Sequence, residues 1–215
     1  LAVKNPEKLQ ALKDLCLVEA TRNNVLPLDD SNIERFATAN RPSYTAGRTT
    51  FTYHEGMIRI PEGAAPELKN RSWSIAAEVT IPARGAEGVI MTMGGRFNGI
   101  GLYVKDGKPV FHYNFLGLQR TSVAAPEALK PGDHTITVQF KYSGGGMGKP
   151  ADVDLLVDGK NVATGRVEKT IPIRISLDET LDIGEDTGTP VSEDYHTPFK
   201  FTGTLNKVVI ELGKS

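Results

Sequence analysis

The sequence predicts an all-β fold: an antiparallel two-sheet β-sandwich of jelly-roll type, preceded by one N-terminal helix. Three observations carry this. Several segments alternate apolar and polar residues with the period of a half-buried strand. Asp-Gly pairs at 106–107 and 158–159 supply the turn chemistry of tight hairpins. Helical periodicity is confined to the opening of the chain.

The opening NPEKLQALKDLCLVEATRNN reads as the helix. Asn5 can cap it, Pro6 suits its first position, and Glu7 favours the positive end of its dipole. Leu9, Leu12, Cys16 and Ala20 recur at steps of three and four as an apolar stripe, with Leu15 beside it. Proline and paired aspartates in VLPLDDSN then favour a stop. The expected division is residues 1–40 for helix and linker and 41–215 for the sandwich.

In SWSIAAEVTI, Trp73, Ile75, Ala77, Val79 and Ile81 share one face, while Ser72, Ser74, Glu78 and Thr80 share the other. GIGLYVK and PVFHYNF flank Asp106-Gly107, and Phe111, Tyr113 and Phe115 point to a common side. HTITVQFKY repeats the alternation, with Ile136, Val138, Phe140 and Tyr142 on one face. DVDLLVDGKNVATGRVE makes two short strands around Asp158-Gly159. The final strand, PFKFTGTLNKVVIEL, opens with Phe199, Phe201 and Leu205 inward. It resumes with Val208, Ile210 and Leu212 one residue out of phase, which a β-bulge near Asn206-Lys207 would correct.

Bulk properties narrow the function. The 215 residues are 39% hydrophobic and 24% charged, enough to bury a sizeable core without disulfides or a structural metal. A formal charge of -1 creates no global field toward nucleic acid or an anionic membrane. No run of about 18 apolar residues is present to span a bilayer. The single cysteine, Cys16, excludes an internal disulfide framework and any multi-cysteine zinc site, and its place on the helix stripe predicts a packed thiol. Beginning at Leu1 without a basic-then-apolar leader, the chain reads as a processed product or an excised fragment.

The candidate chemistries are few. The glycines of GGRFNGIGLYVKDGK do not follow G-x-G-x-x-G and precede no helix, so they read as turns and not as a phosphate cradle. GGGMGKP, residues 144–150, has a Gly-Lys pair but Pro150 where a P-loop needs Ser or Thr. His54, His112, His134 and His196 have no metal-type spacing and read as surface or turn histidines. Asp152 and Asp154 alternate on one strand, as paired glycosidase acids can, but border a hairpin without aromatics. The acidic segment SLDETLDIGEDTGTPVSEDYHTPF offers Asp182, Glu185 and Asp186 as candidate calcium ligands, since loop carboxylates and carbonyls are what calcium takes. Against that stands a solvated loop whose Asp and Thr side chains bond to their own backbone.

The phrases NVLPLDDS, RIPEGAAPELKNRS, GGRFNGIGLYVKDGKPVFHYNFLG and LDETLDIGEDTGTPVSEDYHTPFKFTGTL resemble the carboxy-terminal region of bacterial arylsulfatases. That resemblance implies an upstream α/β catalytic domain whose C/S-x-P-x-R motif supplies a formylglycine nucleophile. No such motif occurs here: Cys16 is followed by LVEA, so no catalytic residue is carried over. The resemblance further implies a concanavalin A-like or laminin G-like jelly roll serving as an appendage. It implies a periplasmic or secreted location, with the cytoplasm as the alternative.

Two functions follow as expectations. One is a non-catalytic accessory domain that packs on the sulfatase catalytic domain, frames its cleft or mediates homo-oligomers. The other is a carbohydrate-binding module for sulfated glycans. Its ligand candidates are Arg96, Asn98, Tyr103, Tyr113 and Arg120, with Phe111 and Phe115 beside them. Alternating aromatics in a strand are also what a core requires.

Overall fold

The computed structural model describes residues 2–28 and 43–213. The chain divides into two compact units, Leu1–Ser43 and Tyr44–Ser215. The expected boundary at 40/41, and the aspartates of the LPLDDS motif, lie outside the described residues.

The first unit holds a 3-10 turn, Ala2–Lys4, and the helix α1, Pro6–Arg22. Pro6 opens it, where the missing N–H costs nothing, but the Asn5 side chain makes no capping hydrogen bond. The predicted stripe is not a buried one. Ala20 is buried, whereas Leu9, Leu12, Leu15 and Cys16 are exposed, so the packed-thiol expectation for Cys16 is corrected. A helix stripe becomes core only when another element covers it.

The second unit is an antiparallel two-sheet sandwich. Its strands are β1 (Thr50–Tyr53), β2 (Trp73–Ile81), β3 (Gly88–Gly94), β4 (Gly99–Lys105), β5 (Lys108–Phe115) and β6 (Gln119–Ala124). They continue as β7 (Gly132–Tyr142), β8 (Ala151–Val157), β9 (Lys160–Val167), β10 (Leu181–Ile183) and β11 (Thr204–Leu212). One sheet runs β1-β11-β2-β7-β8-β9 and the other β10-β3-β4-β5-β6. Both Asp-Gly pairs close hairpins with positive φ at each residue, 52° and 72° at 106–107 and 52° and 77° at 158–159. The bulge in β11 falls between Leu205 and Lys207, returning Val208 and Ile210 to the core. That strand starts at Thr204, later than its alternation implied, because the chain before it pairs with the other sheet at Val89↔Lys200.

The inner faces meet around an aromatic centre. Trp73 stacks on Phe140 at 4.5 Å, Tyr113 stacks on Phe140 at 5.7 Å, and Phe111 meets Trp73 edge-on at 6.0 Å. Trp73 Nε1–H donates to the Leu68 carbonyl at 3.0 Å, so the indole is buried without an orphan donor. A second cluster of Val89, Tyr103, Val110 and Tyr195, with Phe199 against it, lies on the outside of the smaller sheet. Phe199 therefore packs there and not in the main core with Phe201. The strands β3, β4 and β5 of the smaller sheet are covered on both faces, which explains why they are almost continuously buried.

Candidate functional site

The outer face of the smaller sheet is covered by the segment 184–200, and two glycines make room for it. A Cβ at Gly99 would lie 2.4 Å from Val191 Cγ2, and one at Gly101 would lie 2.9 Å from Val191 Cγ1. Both residues belong to β4, Gly99 as its first residue, so the expectation that the glycines of this region are all turns is corrected: Gly99 and Gly101 permit close approach. Polar anchors hold the segment down. Tyr103 Oη donates to Asp194, with Ser192 Oγ at 3.2 Å, and Tyr195 Oη donates to Asp186 Oδ2 at 2.7 Å. Burial pushes the Asp186 carboxyl up to about 6 despite the Tyr195 and Gly188 donors. Burial likewise raises Tyr103 and Tyr195, reinforced by the carboxylates each one faces.

His112 lies on the same face and is buried, not the surface histidine its spacing implied. Its Nδ1 is 2.8 Å from Ser122 Oγ, and burial lowers its pKa to about 4, which leaves the ring neutral at pH 7.

Two hairpin loops at one end of this sheet, 95–98 and 116–118, present the groups suited to contacting a ligand. Their bases are clamped by buried asparagines. Leu116 N–H donates to Asn98 Oδ1 at 3.0 Å, and Asn98 Nδ2 reaches the Arg174 carbonyl at 3.1 Å. Asn114 Nδ2 donates to the Arg96 carbonyl at 2.8 Å while its Oδ1 accepts from Gly117 N–H at 3.0 Å. Arg96 N–H donates to Thr189 Oγ1 at 2.9 Å, tying this loop to the covering segment. On these fixed bases stand Phe97 at 79% exposure, Leu118 at 83% and Leu116 at 52%, beside exposed Arg96 and Arg120. Arg120 Nη1 donates to the Gly117 carbonyl at 3.3 Å, which orients the guanidinium, and its Nη2 pairs with Glu193 Oε1 at 3.2 Å.

The loop 171–178 joins this end. Ile171 N–H donates to Tyr113 Oη at 2.8 Å, and the Glu62 carboxylate accepts from Ile175 N–H at 3.1 Å while pairing with Lys69 at 2.5 Å. It carries exposed Ile173 and Leu177.

The five predicted ligand residues thus separate. Arg96, on the 95–98 loop, and Arg120, at the start of β6, flank the same turn: a Cβ at Gly117 would be 3.9 Å from the Arg96 backbone carbonyl and 4.0 Å from Arg120 Nη2. Asn98 is buried and acts as a clamp. Tyr103 and Tyr113 are buried on opposite faces of the sheet, in different clusters, and form no shared platform. Phe111 belongs to the main core, and Phe115 packs against it. The reason is the strand period: residues that alternate on β5 face the partner sheet, where burial is worth most. Sequence reasoning missed Phe97, Leu116 and Leu118. Their signal was apolar side chains at turn positions, where polar residues are usual.

Three acids of the segment, Glu179, Asp182 and Asp186, are held by donors of the protein itself. Asp182 accepts from Arg59 N–H at 2.6 Å, Thr180 Oγ1 at 3.0 Å, and Thr187 N–H and Oγ1 at 2.9 and 2.5 Å. Asp186 is held by Gly188 N–H and Tyr195, and Glu179 by Thr189 N–H and Oγ1. Among the described residues no group of three His, Cys, Asp or Glu is placed to hold a metal ion. Of the three calcium candidates, Asp182 and Asp186 spend their carboxylate oxygens on these internal donors. Asp152 and Asp154 carry ion pairs with Arg166 and Lys141 on the outer face of the larger sheet.

No protein-family model matches the chain, and no curated protein sequence matches it. Solved structures match in fold. The carbohydrate-binding module CBM40 of Ruminococcus gnavus IT-sialidase, bound to alpha2,6 sialyllactose, is 15% identical. That alignment covers 76% of this chain and 90% of that one, with a TM-score of 0.51. Domains LG4-5 of the mouse laminin alpha1 chain are 19% identical over 75% of this chain at a TM-score of 0.46, and this chain spans 41% of their length. The sandwich thus shares its jelly-roll fold with that CBM40 structure.

Proposed function

We propose that the sandwich is a non-catalytic binding module that takes an anionic glycan at Arg96, Phe97, Leu118 and Arg120. The observation that carries this is the mounting: exposed cationic, aromatic and aliphatic groups stand on two hairpin loops whose bases are clamped by buried Asn98 and Asn114. A guanidinium offers paired donors to a sulfate or carboxylate, and an exposed phenyl ring packs on the apolar face of a sugar. Clamped loops lose little entropy on binding, so these few contacts count fully. What the site offers to solvent is recognition chemistry, and the buried hydroxyls and carboxylates of the covering segment face one another.

The test is calorimetric titration with a heparin-derived sulfated hexasaccharide, with sialyllactose and with neutral lactose. Sialyllactose is included because the CBM40 neighbour carries it. An anionic ligand should bind and lactose should not. Arg120→Ala and Phe97→Ala should each weaken binding by about tenfold, the scale of one charged hydrogen bond or one well-packed contact. No heat with either anionic ligand overturns the reading.

The arylsulfatase resemblance supports a second, compatible statement: that the module is an appendage of an exported sulfate-ester hydrolase and concentrates it on sulfated glycans. A C/S-x-P-x-R motif in coding sequence upstream of Leu1 is the observation that tests it.

A further inference from the structure

We infer that Glu193 is a built-in competitor for the anion site, occupying Arg120 when no ligand is present and thereby setting the module's affinity threshold. This deepens the glycan-binding reading and rests on it. The covering segment is anchored on both sides of Glu193: Ser192 and Asp194 bond to Tyr103, whereas Glu193 between them is exposed and reaches Arg120. Val191 and Tyr195, one step farther out on either side, are buried. The residues flanking Glu193 on both sides are thus tied to the sheet, and Glu193 is delivered to the guanidinium.

The guanidinium divides its donors. Nη1 is on the Gly117 carbonyl, an internal contact that orients the group, and Nη2 is on Glu193 Oε1 at 3.2 Å. The Glu193 side chain is 72% exposed, so water competes for the pair and its strength is that of a surface ion pair. A sulfate or carboxylate can displace it without disturbing the Gly117 contact. An incoming anion must also sit near the Glu193 charge until that side chain swings away. A neutral sugar has nothing to gain from the exchange, which makes Glu193 a filter for anionic ligands that bring more than one contact.

The experiment is titration of the full chain with the heparin-derived hexasaccharide at fixed ionic strength, using wild type, Glu193→Gln, Arg120→Ala and the double variant. Glu193→Gln should bind about two- to tenfold more tightly, from loss of the competing pair and of like-charge repulsion. The gain should shrink to less than about twofold when Arg120 is already Ala, because the coupling passes through that guanidinium. Equal tightening in both backgrounds overturns the competitor role and leaves only general repulsion. Unchanged or weaker binding by Glu193→Gln overturns it while the glycan reading stands. Absence of binding by all four proteins overturns both. Unfolding midpoints of the variants, with Glu193→Ala as a second substitution, separate a folding defect from a binding effect.

Discussion

At the residue scale, His134 is held with both ring nitrogens against acceptors, Asp158 Oδ2 at 2.7 Å and the Lys130 carbonyl at 2.8 Å. Two acceptors are best met by two donors, so the site favours the imidazolium form over the neutral ring. Burial lowers its pKa but is outweighed by the Asp158 and Lys130 bonds and the nearby acids, leaving it raised. Burial raises the Asp158 carboxyl, and the Thr135 N–H and His134 more than reverse that. A raised histidine stabilises the fold fully below its unfolded value, about 6.5, and loses that contribution as pH rises through the folded value. The lowered aspartate contributes above its own unfolded value, about 3.9, and loses it on acidification. His134→Ala should therefore cost most near pH 5, under about 1 kcal/mol for so solvent-accessible a pair, and almost nothing by pH 9. Thermal unfolding of both proteins across that range measures it. None of this was legible in the sequence, because His134 and Asp158 meet through the register of β7 and β8.

At the element scale, the covering segment turns one face of the smaller sheet from solvent into interior. The alternation in β2 and β7 was legible because those strands have one wet face, and their apolar residues went where their period put them. The glycines of β4 were not, since an element with no strand or helix pattern of its own is what packs on them. Gly101→Ala should push a methyl into Val191, which has no long flexible side chain to yield, and cost about 1–3 kcal/mol. Urea unfolding gives the loss. Hydrogen exchange should quicken over 185–199 first, and unchanged protection there sinks the packing account.

At the scale of the whole molecule, the sandwich holds the carboxylates of Glu179, Asp182 and Asp186 with N–H and O–H donors of their own region. Its unfolding midpoint should agree within about 1 °C between millimolar calcium and a chelator, a ligand that does not bind the native state having no linkage to its stability. Trp73, the single tryptophan and buried against Phe140, provides the fluorescence signal for that comparison. A midpoint several degrees higher in calcium would restore Asp182, Glu185 and Asp186 as ligands.

The amino-acid order by itself determined the two-sheet sandwich, the hairpins at 106–107 and 158–159, and the bulge in β11. Each follows from local turn chemistry or a period of two along one strand. It also put arginines at 96 and 120 without revealing that they share an end of the molecule. Tertiary structure alone decided which aromatics became core, that the histidine of β5 is buried, and that Phe97 and Leu118 stand in water on clamped loops. The physical reason is that burial and proximity are properties of pairs of elements, and pairing across two sheets is not written in any single segment.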